Sequence, residues 1–129
     1  MNSIFKISIL LIVISIAALA CQNATTTEVI EPKEIDFEEF TEMALDENVV
    51  VLDVREPHEY ENWHYDGAIL MDYNNGQFEA EKAQLDKSKT YLLYCHTSRR
   101  SSAAALELAE MGIQSFYLKD GYSGLTINK

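Results

Sequence analysis

Tyr91-Leu92-Leu93-Tyr94-Cys95-His96-Thr97-Ser98-Arg99-Arg100-Ser101 is the stretch on which the reading of this 129-residue chain turns. Tyr91 to Tyr94 is a short apolar run, too brief for a helix, whereas Arg99 to Met111 is rich in alanine and leucine and predicts one. Cys95 therefore falls where a strand ends. The six residues Cys95 to Arg100 are expected to wrap into a loop with backbone N–H groups turned inward, a helix N-terminus behind them and the cysteine sulfur at the mouth. A loop of that kind attracts anions and favours the thiolate, the reactive form of cysteine. Arg100 contributes a fixed charge and a planar fork suited to oxyanions.

Working outward from this stretch, helical and extended signals alternate. Val49 to Leu52 is an unbroken aliphatic run, which suits a strand covered on both faces. Pro57 opens a short helix to about Glu61, and Ala68 to Met71 is a second buried strand. Asn74-Asn75-Gly76 predicts a turn, Phe78 to Leu85 is helical in pattern, and Thr90 to Tyr94 is the third strand. Gly112 stands where the long helix stops, and Phe116 to Leu118 is the last core strand. Upstream, Asp36 and Glu39 have the spacing of a capping box, while Phe37, Phe40, Met43 and Ala44 share one helical face, which predicts a helix over Asp36 to Asp46. The connections between strands are long and mostly contain a helix, as parallel strands require. The result is an α/β domain. Ligands of such sheets collect beyond the carboxyl ends of the strands. Asp53-Val54-Arg55, Cys95 to Arg100 and Asp120-Gly121-Tyr122 all fall there, along one edge.

Cys95-x-x-x-x-Arg100 resembles the active-site loop of the rhodanese family. Val50-Val51-Leu52-Asp53-Val54-Arg55-Glu56 is similar to that family's strand ending in Asp-x-Arg. Glu59-Tyr60 followed by His64-Tyr65-Asp66-Gly67-Ala68-Ile69 resembles the segment leading into its next strand, and Leu118 to Leu125 its closing segment. The resemblance implies a central parallel sheet flanked by helices on both faces. It also implies a sulfurtransferase that moves sulfane sulfur from a donor such as thiosulfate to a thiophilic acceptor through a Cys95 persulfide. His96, Thr97, Ser98, Arg99 and Arg100 would bind substrate, and Asp53 and Arg55 would support the site. The expected partners are a small sulfur-containing anion and a thiol acceptor; no metal and no organic cofactor is called for. Ser98 stands where a glycine is common, and a positive φ there would carry about 1 kcal/mol of strain. Trp63 and Asp66 replace a usual glycine and proline, and Leu125 a frequent tryptophan. Two other readings share these residues. One is a non-catalytic binding or sulfur-carrier module. The other is arsenate or phosphate ester chemistry, whose cysteine cradles have five residues before the arginine; Ser101 occupies that later position here, and the tighter loop suits a single sulfur better than a tetrahedral oxyanion.

The remaining residues speak to location. Residues 1–20 carry one lysine, Lys6, before an apolar run from Ile7 to Ala20, and read as a secretory leader rather than a membrane span. Ala18-Leu19-Ala20-Cys21 resembles a bacterial lipobox, with the leucine one place nearer the cysteine than usual, so Cys21 is the expected lipidation site. Residues 21–34, with Thr25-Thr26-Thr27 and Pro32, read as a tether, and residues 35–129 as the folded domain. Cys21 and Cys95 are the two cysteines of the chain, and a lipid on the first leaves the second a lone thiol. Ten basic and 21 acidic side chains give a net charge of −11. That balance argues against nucleic acid and against electrostatic docking to anionic lipid, so attachment on the periplasmic side would rest on the lipid anchor alone. Asp53 and Arg55 read as pins for the strand end, and His64 as a hydrogen-bonding turn residue rather than a base. Nothing in the sequence sets the oligomeric state.

Overall fold

Five parallel strands carry the domain: β1 (Lys33–Ile35), β2 (Val49–Asp53), β3 (Ile69–Leu70), β4 (Thr90–Tyr94) and β5 (Ser115–Leu118), in the spatial order β1-β5-β4-β2-β3. The structure is a computed structural model and describes residues 29–123. The leader, Cys21, the threonine run and Leu125 lie outside the described residues.

The central strand shows why its sequence is apolar without alternation. Side chains of a strand point to opposite faces in turn. Tyr91, Leu93 and Cys95 pack on one side with Leu52, Met71, Phe78, Ala104, Ala105 and Leu108. Leu92 and Tyr94 pack on the other with Ile35, Phe40, Val51 and Leu118. Each large side chain buried in this way contributes about 1.5–3 kcal/mol. The helices that cover the two faces are α1 (Phe37–Met43) and α2 (Pro57–Asn62) on the Leu92 side, and α3 (Gln77–Glu81) and α4 (Arg99–Glu110) on the Leu93 side.

Local chemistry sets the helix ends. Asp36 caps α1 by accepting the Glu39 N–H at 2.9 Å, and Pro57 starts α2 at a position where no N–H is needed. Gly112, at φ +77°, ends α4: its N–H reaches the Ala109 carbonyl and that of Ile113 the Leu108 carbonyl, both at 2.9 Å.

Four elements differ from expectation. β1 takes up Lys33 and Glu34, which the sequence assigned to the tether. Among the described residues it pairs with β5 alone, and of its three residues only Ile35 is buried. The first helix is shorter than Asp36 to Asp46, and the ladder of β3 is two residues long, with Ala68 and Met71 buried on either side of it. The helical pattern after Phe78 breaks at Lys82–Gln84 into a 3-10 turn.

Candidate active site

Cys95 is the first residue beyond β4 and continues that strand's alternation, so its side chain turns toward α4. The residue is only 1 % exposed. The sulfur therefore lies at the floor of the loop and not at its mouth, because strand register sets its direction before the loop begins. The chain then reverses through Ser98, at φ +65° and ψ −13°. The strain that the sequence attached to a positive φ at this serine is thus present, about 1–2 kcal/mol.

That reversal brings the first turn of α4 back onto the sulfur. The Ser101 N–H points at Cys95 Sγ from 3.4 Å, and Ser101 Oγ lies 3.5 Å from the same atom and 3.1 Å from the Ser98 carbonyl. Among the described residues this is the one amide that reaches the sulfur, where the sequence reading expected a ring of them. Ser101 was read from sequence only as the occupant of a longer cradle's arginine position. Its spacing of six from Cys95 was the signal that it would face back.

The other loop residues divide between rim and wall. His96, Thr97 and Arg99 are exposed, and Ser98 and Arg100 are half-buried. The Arg100 guanidinium grips Glu59 of α2 with both terminal nitrogens, Nη1 at 2.8 Å and Nη2 at 3.1 Å. Glu59 Oε2 also accepts the Glu56 N–H at 3.0 Å. Burial works against the Glu59 charge, but the hydrogen bonds from Arg100 and from the Glu56 amide outweigh it and hold this carboxyl down at about 2. On Arg100 the Glu59 hydrogen bonds act first in raising the pKa, burial opposes them, and the Cys95 sulfur adds to the rise. Sequence reading placed Glu59 only within a family segment; its role as partner of Arg100 was missed.

A second segment fixes the loop from below. The Tyr122 N–H donates to the Cys95 carbonyl at 2.6 Å, and the Ser123 N–H to the His96 carbonyl at 3.4 Å. Asp120 and Gly121 turn the chain for this with φ +59° and +58°. A Cβ on Gly121 would stand 2.6 Å from the His96 carbonyl carbon and 2.7 Å from its oxygen, and closer still to the Cys95 oxygen. Glycine is required here by contact as well as by conformation.

Asp53 and Arg55 form a buried pair behind the loop. Arg55 Nη2 lies 2.6 Å from Asp53 Oδ2 and 2.6 Å from the Trp63 carbonyl, and Arg55 Nε 2.9 Å from Asp53 Oδ1. The Tyr94 hydroxyl donates to Asp53 Oδ2 at 2.6 Å and accepts the Tyr65 N–H at 3.0 Å. The guanidinium also sits over the rings of Tyr122, at 4.8 Å, and Tyr94, at 5.3 Å. The register Asp53↔Tyr94 makes this network possible, since it seats both residues at the same level of adjacent strands. Both carboxylate oxygens of Asp53 and the Nε and Nη2 groups of Arg55 are thus bonded inside the protein. His64 sits in the irregular segment after α2, not in a turn, with Nδ1 2.9 Å from the Tyr60 carbonyl and its ring stacked on Tyr60 at 3.8 Å.

Beside the loop opens a cleft of about 620 Å³, lined by Tyr73, Asn74, Thr97, Arg99, Arg100 and Ala103. Glu56, His58 and Glu59 bring three possible ligand atoms within 4.8 Å of one another. Arg100 already holds the Glu59 carboxylate and the Asn74 amide the Glu56 one, which makes this a hydrogen-bonded cluster rather than an open metal cage.

A thiol at a strand end, a helix start returning to it and an arginine six residues along form the geometry of one family, and the family model for the Rhodanese-like domain matches residues 36–128. The chain belongs to the rhodanese-like domain family. Among the relatives of this rhodanese-like domain are sulfurtransferases. A tRNA sulfurtransferase of Tolumonas auensis is 38% identical over 77 residues, which cover 58% of this chain and 16% of that protein. The chain thus spans about a sixth of that protein's length. The thiosulfate sulfurtransferase GlpE of Coxiella burnetii is 33% identical over 85 residues, covering 66% of this chain and 78% of that one. A rhodanese-related protein from Thermoplasma volcanium shares the fold, with a TM-score of 0.67, 23% identity and coverage of 74% of this chain and 92% of its own.

Proposed function

We propose that this rhodanese-like domain transfers sulfane sulfur through a persulfide on Cys95, with thiosulfate as a competent donor. The Cys95 thiolate attacks the outer sulfur of the donor, the bond to the sulfonate breaks, and sulfite leaves with the electron pair. A thiol or other thiophile then attacks the outer sulfur of the persulfide and restores the thiolate. The scheme is covalent catalysis with ping-pong kinetics.

The observation that carries this reading is the placing of the Cys95 sulfur against the first turn of the 12-residue α4, with the Ser101 N–H aimed at it from 3.4 Å. Negative charge on a thiolate or a persulfide is favoured at a helix N-terminus. The Ser101 hydroxyl and Arg100 support the same charge. Thiosulfate and cyanide supplied to the protein are expected to yield thiocyanate with parallel double-reciprocal plots, and Cys95→Ser to abolish it. Absence of thiocyanate across several sulfane donors would remove the catalytic reading.

One observation favours a second reading. Cys95 is buried, as suits a domain that holds sulfane sulfur or docks a partner without turnover. Cys95→Ser separates docking, which survives that change, from sulfur chemistry, and multiple turnovers of thiocyanate per protein separate catalysis from mere holding of sulfur. Export and lipidation at Cys21 complete the proposal: labelled palmitate fed to an expressing bacterium is expected to enter the protein and to be lost with Cys21→Ala.

A further inference from the structure

A second concave surface lies at the other end of the domain from Cys95. Val29, Ile30 and Pro32, in the segment before β1, and Leu106 and Ala109 of α4 line a groove of about 600 Å³. Val29 and Leu106 are two of the four large hydrophobic side chains that stand exposed among the described residues. Single exposed hydrophobes are ordinary, but two that line one groove mark a surface for another apolar body. The charged residues of the lining are Glu31 and Glu110, both exposed, so that body carries no excess of negative charge.

Topology fixes where the groove points. β1 and β4 both run parallel to β5, so Pro32 enters at the amino end of the sheet and Cys95 leaves at its carboxyl end. α4 starts beside Cys95, and its 12 residues carry the chain about 18 Å back toward the amino end. Leu106 and Ala109 belong to its second half. Val29 is eight positions after Cys21, a span of at most about 29 Å when fully extended. A lipid on Cys21 therefore keeps the groove within one tether's length of the bilayer and Cys95 on the far side of the domain.

We propose that this groove is the domain's bilayer-facing surface, which docks on lipid of neutral headgroup and turns the Cys95 cleft toward the aqueous phase. The proposal rests on lipidation at Cys21 and adds an orientation to it. Contact with a membrane interface gains from buried apolar area and from attraction of basic side chains to anionic lipid. This face offers the first and, with Glu31 and Glu110, opposes the second, which is why it selects neutral headgroups. In this orientation the sulfur on Cys95 passes to a thiophile dissolved in water and not to one embedded in lipid.

The test places a tryptophan in the groove. Trp63 is the one tryptophan of the chain and packs on Tyr122 at the Cys95 end, with 4.9 Å between ring centroids, so it serves as the reference. The full chain, expressed in a bacterium fed labelled palmitate, is reconstituted into phosphatidylcholine vesicles whose acyl chains carry bromine, a contact quencher. In Leu106→Trp, and independently in Val29→Trp, the added emission is expected to shift to the blue and to be quenched, while that of Trp63 in the wild type is not. Phosphatidylglycerol vesicles are expected to weaken the quenching, and equal or stronger quenching there overturns the choice of neutral lipid. In a second arm the same variants, bearing Cys95→Ser, are coupled through Cys21 to a maleimide lipid, which supplies the anchor chemically. Quenching in this arm, with no palmitate in the chain made by the cell, would refute lipidation and leave the docking face standing. The proposal is overturned if neither added tryptophan is quenched in the coupled chain, or if Trp63 is quenched as strongly as they are. It is equally overturned if the blue shift persists without vesicles, the result expected when a second copy or the chain's own N-terminal residues cover the groove.

Discussion

Replacing Gly121 by alanine probes the site through a residue that touches no substrate. The added Cβ would lie 2.6 and 2.7 Å from the His96 carbonyl carbon and oxygen, against a backbone that cannot retreat easily. Tyr122 and Ser123 hold that backbone by their N–H groups, and the Cys95 sulfur is packed in the core. Two costs add. An alanine at φ +58° loses about 1–2 kcal/mol in the left-handed region. Overpacking against fixed atoms costs a further 1–3 kcal/mol, roughly. The sum is about 2–5 kcal/mol, which for a domain of this size lowers the melting temperature by roughly 10 °C or more. Thermal and urea unfolding of the purified protein read the stability, and persulfide loading of Cys95 reads the site. Glycine replaced by alanine with less than about 0.5 kcal/mol of loss, the level of an ordinary surface change, and with unchanged loading would refute the claim that the 120–123 turn sets the position of Cys95.

Other perturbations test the remaining parts. Asp53→Ala removes one partner of a buried ion pair and leaves the Arg55 charge uncompensated, so urea unfolding is expected to show a loss of about 3–5 kcal/mol. Glu59 is held at about 2, below its ordinary value of 4.5, so its ionised form stabilises the native state above pH 4.5 and that contribution is lost as pH falls toward 2. The urea midpoint of the wild type should therefore drop across that window more steeply than that of Glu59→Gln; parallel curves would contradict the assignment. Ser98→Gly relieves about 1–2 kcal/mol of left-handed strain against an entropic loss of about 0.5–1 kcal/mol, for a small net gain in stability, and a destabilised variant would show that the serine side chain contributes more than its strain.

How much of this was readable beforehand depends on which residues interact with neighbours in sequence. Val49 to Leu52 and Tyr91 to Tyr94 announced a sheet covered on both faces, because such runs are stable only where neither face meets water. Gly112 and Asp36 marked helix ends through local backbone chemistry. β1 left no such trace: an edge strand with Lys33 and Glu34 in solvent reads like the polar segment before it. Within the site, the loop from Cys95 to Arg100, with its strand before and helix after, was legible from spacing alone. The depth of the sulfur was not, since it follows from the phase of β4 relative to the loop. Nor was the Arg100–Glu59 pair, which joins residues 41 positions apart and exists only once α2 packs beside α4's first turn. Ser98 lies between these cases, because its departure from a common glycine signalled the strained turn that the structure contains.

The central claim, that Cys95 accepts a sulfur atom, is tested most directly by intact-mass spectrometry of the protein after incubation with thiosulfate and removal of excess donor. The account predicts a gain equal to one sulfur atom, mapped to the peptide bearing Cys95, reversed by cyanide and absent from Cys95→Ser. An unmodified mass under the same conditions, with the protein folded and Cys95 in its thiol form, would contradict it.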